Sequence, residues 1–190
     1  MWYDRRVNPA PAPRLPDGPS PTGALTANAA VEQMVEQWAL ERPDLPADGL
    51  DAMETLALFS RFAGIATRRI DATFSGHGLN VGEFDVLASL RRSGEPFQLS
   101  PSALVRQLVL SSSAMTNRLD RLEERGLVRR SPDPDDRRAL VVSLTEHGRR
   151  LVDSAVSDHV LAEDALLTGL TDAERRRLTA MLRKLLAALE

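Results

Sequence analysis

The sequence predicts a mainly α-helical protein with a small β-wing, and three observations carry that prediction. Ser100-Pro101 opens a short stretch of helical apolar period, and after a turn a serine-rich start at Ser112 opens a longer one that stops at Gly126. Two short β-like runs follow, 127–131 and 139–144, joined by a tip of Pro, Asp and Arg. Helical apolar stripes fill most of the remaining chain. Helix, turn, helix and arginine-tipped hairpin is the layout of a winged helix-turn-helix. The flanking N- and C-terminal helices then read as a dimerisation layer.

Composition bounds the answer. The 190 residues suffice for one compact domain with such a layer. With 43% hydrophobic and 27% charged residues the chain is an ordinary globular one, and 4% aromatic content leaves the core to Leu, Val and Ala. The net charge of −3 does not itself favour a polyanion, so nucleic-acid binding must come from the local distribution of arginine. The absence of cysteine excludes disulfides and thiolate chemistry. No apolar run nears membrane-spanning length and no secretory pattern opens the chain, so a cytoplasmic protein without a membrane partner is expected. His77, His147 and His159 lie far apart, no base stands beside Ser112 or Ser113, and no phosphate loop or metal-ligand spacing occurs. No catalysis, metal or cofactor is expected.

In chain order, residues 1–27 carry six prolines and no apolar period, which predicts a flexible arm. Residues 28–76 hold the N-terminal helices of the dimerisation layer. In the first, Val31, Met34, Val35 and Trp38 share a face, Asn28 is the expected cap, and Pro43 and Pro46 end it. The second runs from Leu50 to about Phe74, with Leu50, Met53, Leu56, Ala57, Phe59, Ala63, Ala66 and Ile70 as a broad stripe, closed by Gly76 and Gly78. Residues 77–144 form the winged helix-turn-helix. Asn80 and Glu83 make a capping box for a helix to Arg92 with Phe84, Leu87, Ala88 and Leu90 in the core. Phe97 to Leu99 reads as a short strand that pairs with the wing. Leu104, Val105 and Leu108 face inward from the helix after Ser100, the turn falls near Val109 to Ser111, and Met115, Leu119 and Leu122 face inward from the next helix, 112–125. Residues 145–190 are the C-terminal dimerisation helices. Thr145 caps one reaching about Leu167, Gly169 breaks it, and Thr171 with Glu174 caps the last. That last helix bears Leu178, Met181, Leu182, Leu185, Leu186 and Leu189 with nothing after it to cover them, which points to a symmetric interface.

The recognition helix presents Ser111, Ser112, Ser113 and Thr116 at its N-terminal end, where small side chains let the backbone approach phosphate. Asn117 and Arg121 reach base edges, amide to adenine and guanidinium to guanine. Asp120, Glu123 and Glu124 make this helix weakly basic, so the grip falls on the wing. There Arg129, Arg130, Arg137 and Arg138 cluster with Asp133, Asp135 and Asp136. Arg137 and Arg138 at the tip suit a narrow minor groove. A self-neutralised surface loop is the plain alternative for this cluster.

The segments LNVGEFDVLASL, LSSSAMTNRLDRLEERGLVRR, DPDDRR and LTEHGRRL occur in an order and spacing similar to the MarR family of bacterial winged-helix regulators. The resemblance implies a homodimer that binds a palindromic operator in double-stranded DNA, acting as a repressor that a small anionic or phenolic ligand releases. It resembles further the urate-responsive branch, which adds an N-terminal helix bearing a tryptophan. That branch also has an aspartate before the motif and arginines in the recognition helix and at the wing base. Here these are Trp38, Asp85, Arg118 and Arg130. The resemblance leaves urate, xanthine, another purine, a tricarboxylic acid or a phenolic acid as ligand.

A switch follows from these residues. Asp85 sits on an apolar helix and a buried carboxylate needs a partner. Arg118 precedes the core residue Leu119 and points sideways, so an Asp85–Arg118 contact is expected in the ligand-free protein. An anion would repel Asp85, recruit Arg118 and Arg130, and draw recognition helix and wing out of register, with Trp38 stacked on its ring. The alternatives are a structural ion pair with Trp38 in the core, or a constitutive DNA-binding or protein-contact protein without a ligand.

Overall fold

The computed structural model describes residues 26–133 and 139–190. The predicted arm, apart from its last two residues, and the wing-tip residues Arg137 and Arg138 lie outside them. The chain divides into two compact units, residues 1–60 and 61–190.

The first unit holds helix α1 (Ala27–Glu41) and the start of helix α2 (Ala47–Gly76). The cap of α1 is Thr26, not Asn28. The Thr26 hydroxyl accepts from the Ala29 N–H at 3.2 Å, and its carbonyl takes the Ala30 N–H at 3.0 Å, so the ladder starts one turn-edge earlier. Likewise α2 starts at Ala47 and not at Leu50, because the Pro46 carbonyl accepts from Gly49 and Leu50. A proline just before a helix initiates it at no hydrogen-bonding cost, so Pro46 opens α2 instead of closing α1.

The second unit is built around helix α3 (Val81–Arg92). Its capping box forms as the sequence predicts, with the Asn80 side chain accepting from the Glu83 N–H at 2.9 Å and Glu83 accepting from the Asn80 N–H at 3.1 Å. Val86, Leu87 and Leu90 are fully buried, against Leu104, Leu122, Val142, Val152 and Ala155 of the elements that follow. Strand β1 (Gln98–Leu99) leads to helix α4 (Pro101–Leu108), capped by Ser100. Helix α4 ends in Val109 at φ 51°, ψ 49°, and after the turn Ser111 caps helix α5 (Ser112–Glu124). Gly126, at φ +66°, turns the chain into strand β2 (Val128–Pro132), which pairs antiparallel with β3 (Leu140–Leu144). The sheet order is β1-β3-β2, so the strand before the helix pair does close on the wing.

Helix α6 (Glu146–Leu166), capped by Thr145, and helix α7 (Asp172–Ala187), with its Thr171–Glu174 box, complete the chain. No residue of α7 is buried, and its Met181, Leu185 and Leu186 are exposed, as are Leu189 after it and Val160 and Leu161 of α6. Among the described residues no helix is long and apolar enough to cross a membrane.

Candidate nucleic-acid interface and anion site

The outward face of α5 follows from its inward one. Met115, Leu119 and Leu122 are buried at i, i+4 and i+7, which turns Ser112, Ser113, Thr116, Asn117 and Arg121 to the surface. Ser111 is exposed too, but its hydroxyl accepts from the Ala114 N–H at 3.2 Å and lies 3.2 Å from that of Ser113. The Thr116 hydroxyl donates to the Ser112 carbonyl at 3.0 Å. These three polish the helix start and leave the backbone approachable. Asn117 and Arg121 differ. They stand four residues apart on one face, and neither side chain has a hydrogen-bond partner among the described residues.

The wing is fastened to this helix by Arg130. Its backbone N–H and Nε both donate to Glu123, at 2.8 and 2.7 Å, and its Nη2 lies 2.7 Å from Asp120. The backbone N–H of Arg130 and then its guanidinium hold the Glu123 carboxyl below the usual carboxylate range. Arg130 and Arg118, expected to turn together toward an incoming anion, are held by different partners in this structure. Two carboxylates of α5 already neutralise Arg130, because β2 pairing with β3 sets residue 130 beside the last turns of α5. Arg129, one residue earlier, alternates to the exposed side.

Asp85 and Arg118 also depart from expectation. They form no ion pair within 4 Å. The Arg118 guanidinium lies instead across Gly82 in the first turn of α3 and donates to the Gly82 carbonyl at 3.4 Å. Asp85 is half-buried, and burial pushes its carboxyl above the usual carboxylate range while the charges of Arg118, Arg92 and His159 pull it down. His159 is packed beside the Phe74–Phe84 stack, its ring 5.1 and 5.4 Å from theirs, with a buried Nδ1 that has no partner among the described residues. Trp38 is on α1 in the other unit and is exposed, not a core residue.

The shift of Asp85 has a signed consequence. Folding raises this pKa, so the folded protein holds the proton more tightly than the unfolded chain. The ionised carboxylate therefore costs stability at neutral pH, and the cost disappears below the unfolded value of about 4. Asp85→Asn is expected to raise the melting temperature near pH 7 and to lose that gain below about pH 4. A lower melting temperature at neutral pH would show that the charged form is the stabilising one.

The residues that sequence reasoning missed are Gly82, His159 and the acidic pair Asp120 and Glu123 as partners of Arg130. Only the acids left a signal. Two carboxylates three residues apart on a helix meant for DNA are out of place unless a cation covers them.

With this geometry in view, the chain can be set beside known proteins. The MarR family model matches residues 77–139. The HTH-type transcriptional regulator PecS of Dickeya dadantii is 40% identical over 152 residues, 80% of this chain and 90% of PecS. Among solved structures, a mutant of Escherichia coli MarR complexed with operator DNA superposes with a TM-score of 0.59 at 28% identity, covering 68% of this chain and 91% of that one. Bordetella bronchiseptica BpsR, whose DNA binding is regulated by 6-hydroxynicotinic acid, gives 0.57 at 30% identity, over 67% and 89%. Helix pair, wing and relatives agree: the chain belongs to the MarR family of helix-turn-helix transcriptional regulators.

Proposed function

We propose that the protein is a ligand-responsive repressor that binds a palindromic operator as a homodimer and is released by a small anionic ligand. Urate or another purine, or a small organic or phenolic acid, is the ligand class. The observation that carries the DNA-binding part is the paired, uncommitted Asn117 and Arg121 on the exposed face of α5, beside a wing fastened to the same helix. Ser111, Ser112, Ser113 and Thr116 seat the helix start on the backbone of the duplex, and Arg137 and Arg138 reach the minor groove. The E. coli relative captured on operator DNA supports this reading.

The exposed apolar residues of α6 and α7 support the homodimer, which gives the reader its two-fold symmetry. Within the second unit the ligand site draws on Asp85 and Arg118. Arg118 is a half-buried cation with one long hydrogen bond and no carboxylate pair among the described residues, so an incoming anion has it as a ready partner. Arg130 joins such a site only by letting go of Glu123, which couples the wing to ligand entry. The regulation of BpsR by a planar heteroaromatic acid supports the ligand class.

A mobility-shift assay on the DNA upstream of the protein's own gene tests this. A shift is expected at low salt, falling on the order of a thousandfold in affinity between about 50 and 200 mM salt as counterions are released. Urate, xanthine, aconitate and salicylate are then added in turn, and at least one should abolish the shift. No shift at low salt defeats the proposal. A shift that none of the four disturbs defeats its ligand half and leaves a constitutive DNA binder.

A further inference from the structure

We infer that Gly82 is a positioning residue for the recognition helix. Its missing side chain is the seat in which Arg118 of α5 rests, and this seat latches α5 to the first turn of α3. A Cβ on residue 82 would stand 2.7 Å from both terminal nitrogens of Arg118 and closer still to its Cζ. The whole face of the guanidinium thus lies on the glycine.

Among the described residues, the three atoms nearest to such a Cβ all belong to Arg118. Residue 82 is inside α3, and it is not among the positive-φ glycines, which are 78, 94 and 126 among the described residues. Alanine fits that backbone and is the better helix former. The neighbour that would have to yield to it is the guanidinium end of Arg118.

The seat holds its occupant by shape more than by charge. The one hydrogen bond, to the Gly82 carbonyl, is 3.4 Å long. The N-terminal turn of a helix carries a partial positive charge, which disfavours a cation. Arg91, Arg125, Arg130 and Arg149 of the same unit each have a carboxylate within 3.3 Å, and Arg118 has none among the described residues. A latch of this kind keeps α5 in place and opens at small cost when a better partner for the guanidinium arrives. That such a partner is a small anion, and that α5 in its latched place is the DNA-competent form, rest on the function proposed above.

A double-mutant cycle on the full chain tests the latch without any ligand. Gly82→Ala is made in the natural background and in Arg118→Ala, and melting temperature and operator affinity are measured for all four proteins. With Arg118 absent, alanine is expected to raise the melting temperature as a better helix former. With Arg118 present, eviction of the guanidinium cancels that gain. Operator affinity falls at least about fivefold on Gly82→Ala when Arg118 is present and changes by less than about twofold when it is absent. Equal effects in the two backgrounds overturn the latch. If no operator is found, the DNA reading fails, and the melting temperatures alone still decide whether Gly82 seats Arg118.

Discussion

Gly148→Ala is expected to destabilise the protein by about 3 kcal/mol, the sum of overpacking and lost hydrogen bonds less the helix preference of alanine. Gly148 is buried in the first turn of α6, where that helix meets the base of the wing. A Cβ at this position would stand 2.9 Å from the Leu127 carbonyl carbon and closer still to its oxygen. Both atoms are backbone, so no side-chain rotation relieves the clash. The same carbonyl accepts from the Thr145 N–H at 3.1 Å and from its hydroxyl at 3.2 Å, and the Thr145 hydroxyl also donates to the Gly126 carbonyl at 2.7 Å. Pushing α6 away therefore strains its own cap and the start of β2 together. Urea unfolding should show the loss, with a fall in melting temperature of roughly 6–12 °C. A midpoint equal to that of the natural protein would mean that α6 moves off Leu127 without resistance.

Arg130→Ala is expected to weaken operator binding by about tenfold or more, a figure reduced for the partial exposure of this charge network. Two effects act in the same direction. The wing loses the guanidinium bonds that tie it to α5, although the backbone N–H of Arg130 still reaches Glu123. Asp120 and Glu123 also lose their cation on a helix that must approach phosphates, so repulsion grows. Glu123→Gln in the Arg130→Ala background should recover part of the affinity by removing one of those charges. Arg130→Lys should not restore it fully, because an ammonium cannot reproduce a planar fork spread over two carboxylates. The opposite result is equally readable. If Arg130→Ala binds operator as the natural protein does and only its release by a small acid is lost, Arg130 is a ligand residue and the fastening of the wing is incidental.

Much of the architecture is legible in the chain because it is written in local rules. Capping boxes at Asn80 and Thr171, Ser-Pro at 100–101, and the 3- and 4-residue spacing of Met115, Leu119 and Leu122 act within one turn of their own helix. Local rules also misled in places. Thr26 and Asn28 are both good caps, and only the first residue to close a hydrogen bond wins. Pro46 reads as a stop or a start depending on which side the ladder forms. Val86 and Glu83 escaped the predicted core, yet the first is fully buried and the second is buried under Arg125, 3.2 Å away.

The candidate site divides along the same line. Which residues face outward on α5 is a matter of helical period, so Asn117 and Arg121 were readable from sequence. Where a long arginine ends is not. Arg118 and Arg130 each reach several ångströms from their own backbone, and their partners, Gly82 and the pair Asp120 and Glu123, depend on how α3, α5 and β2 pack. Sequence alone therefore determined the order of helices and strands and the exposed face of the reader, because short-range periodicity and caps specify them, while its motifs carried the resemblance to the family. The tertiary structure alone decided that Arg118 rests on a glycine instead of an aspartate and that Arg130 grips the recognition helix. Those outcomes turn on how separate elements pack, α5 on α3 for Arg118 and β2 on α5 for Arg130, which residue spacing does not encode.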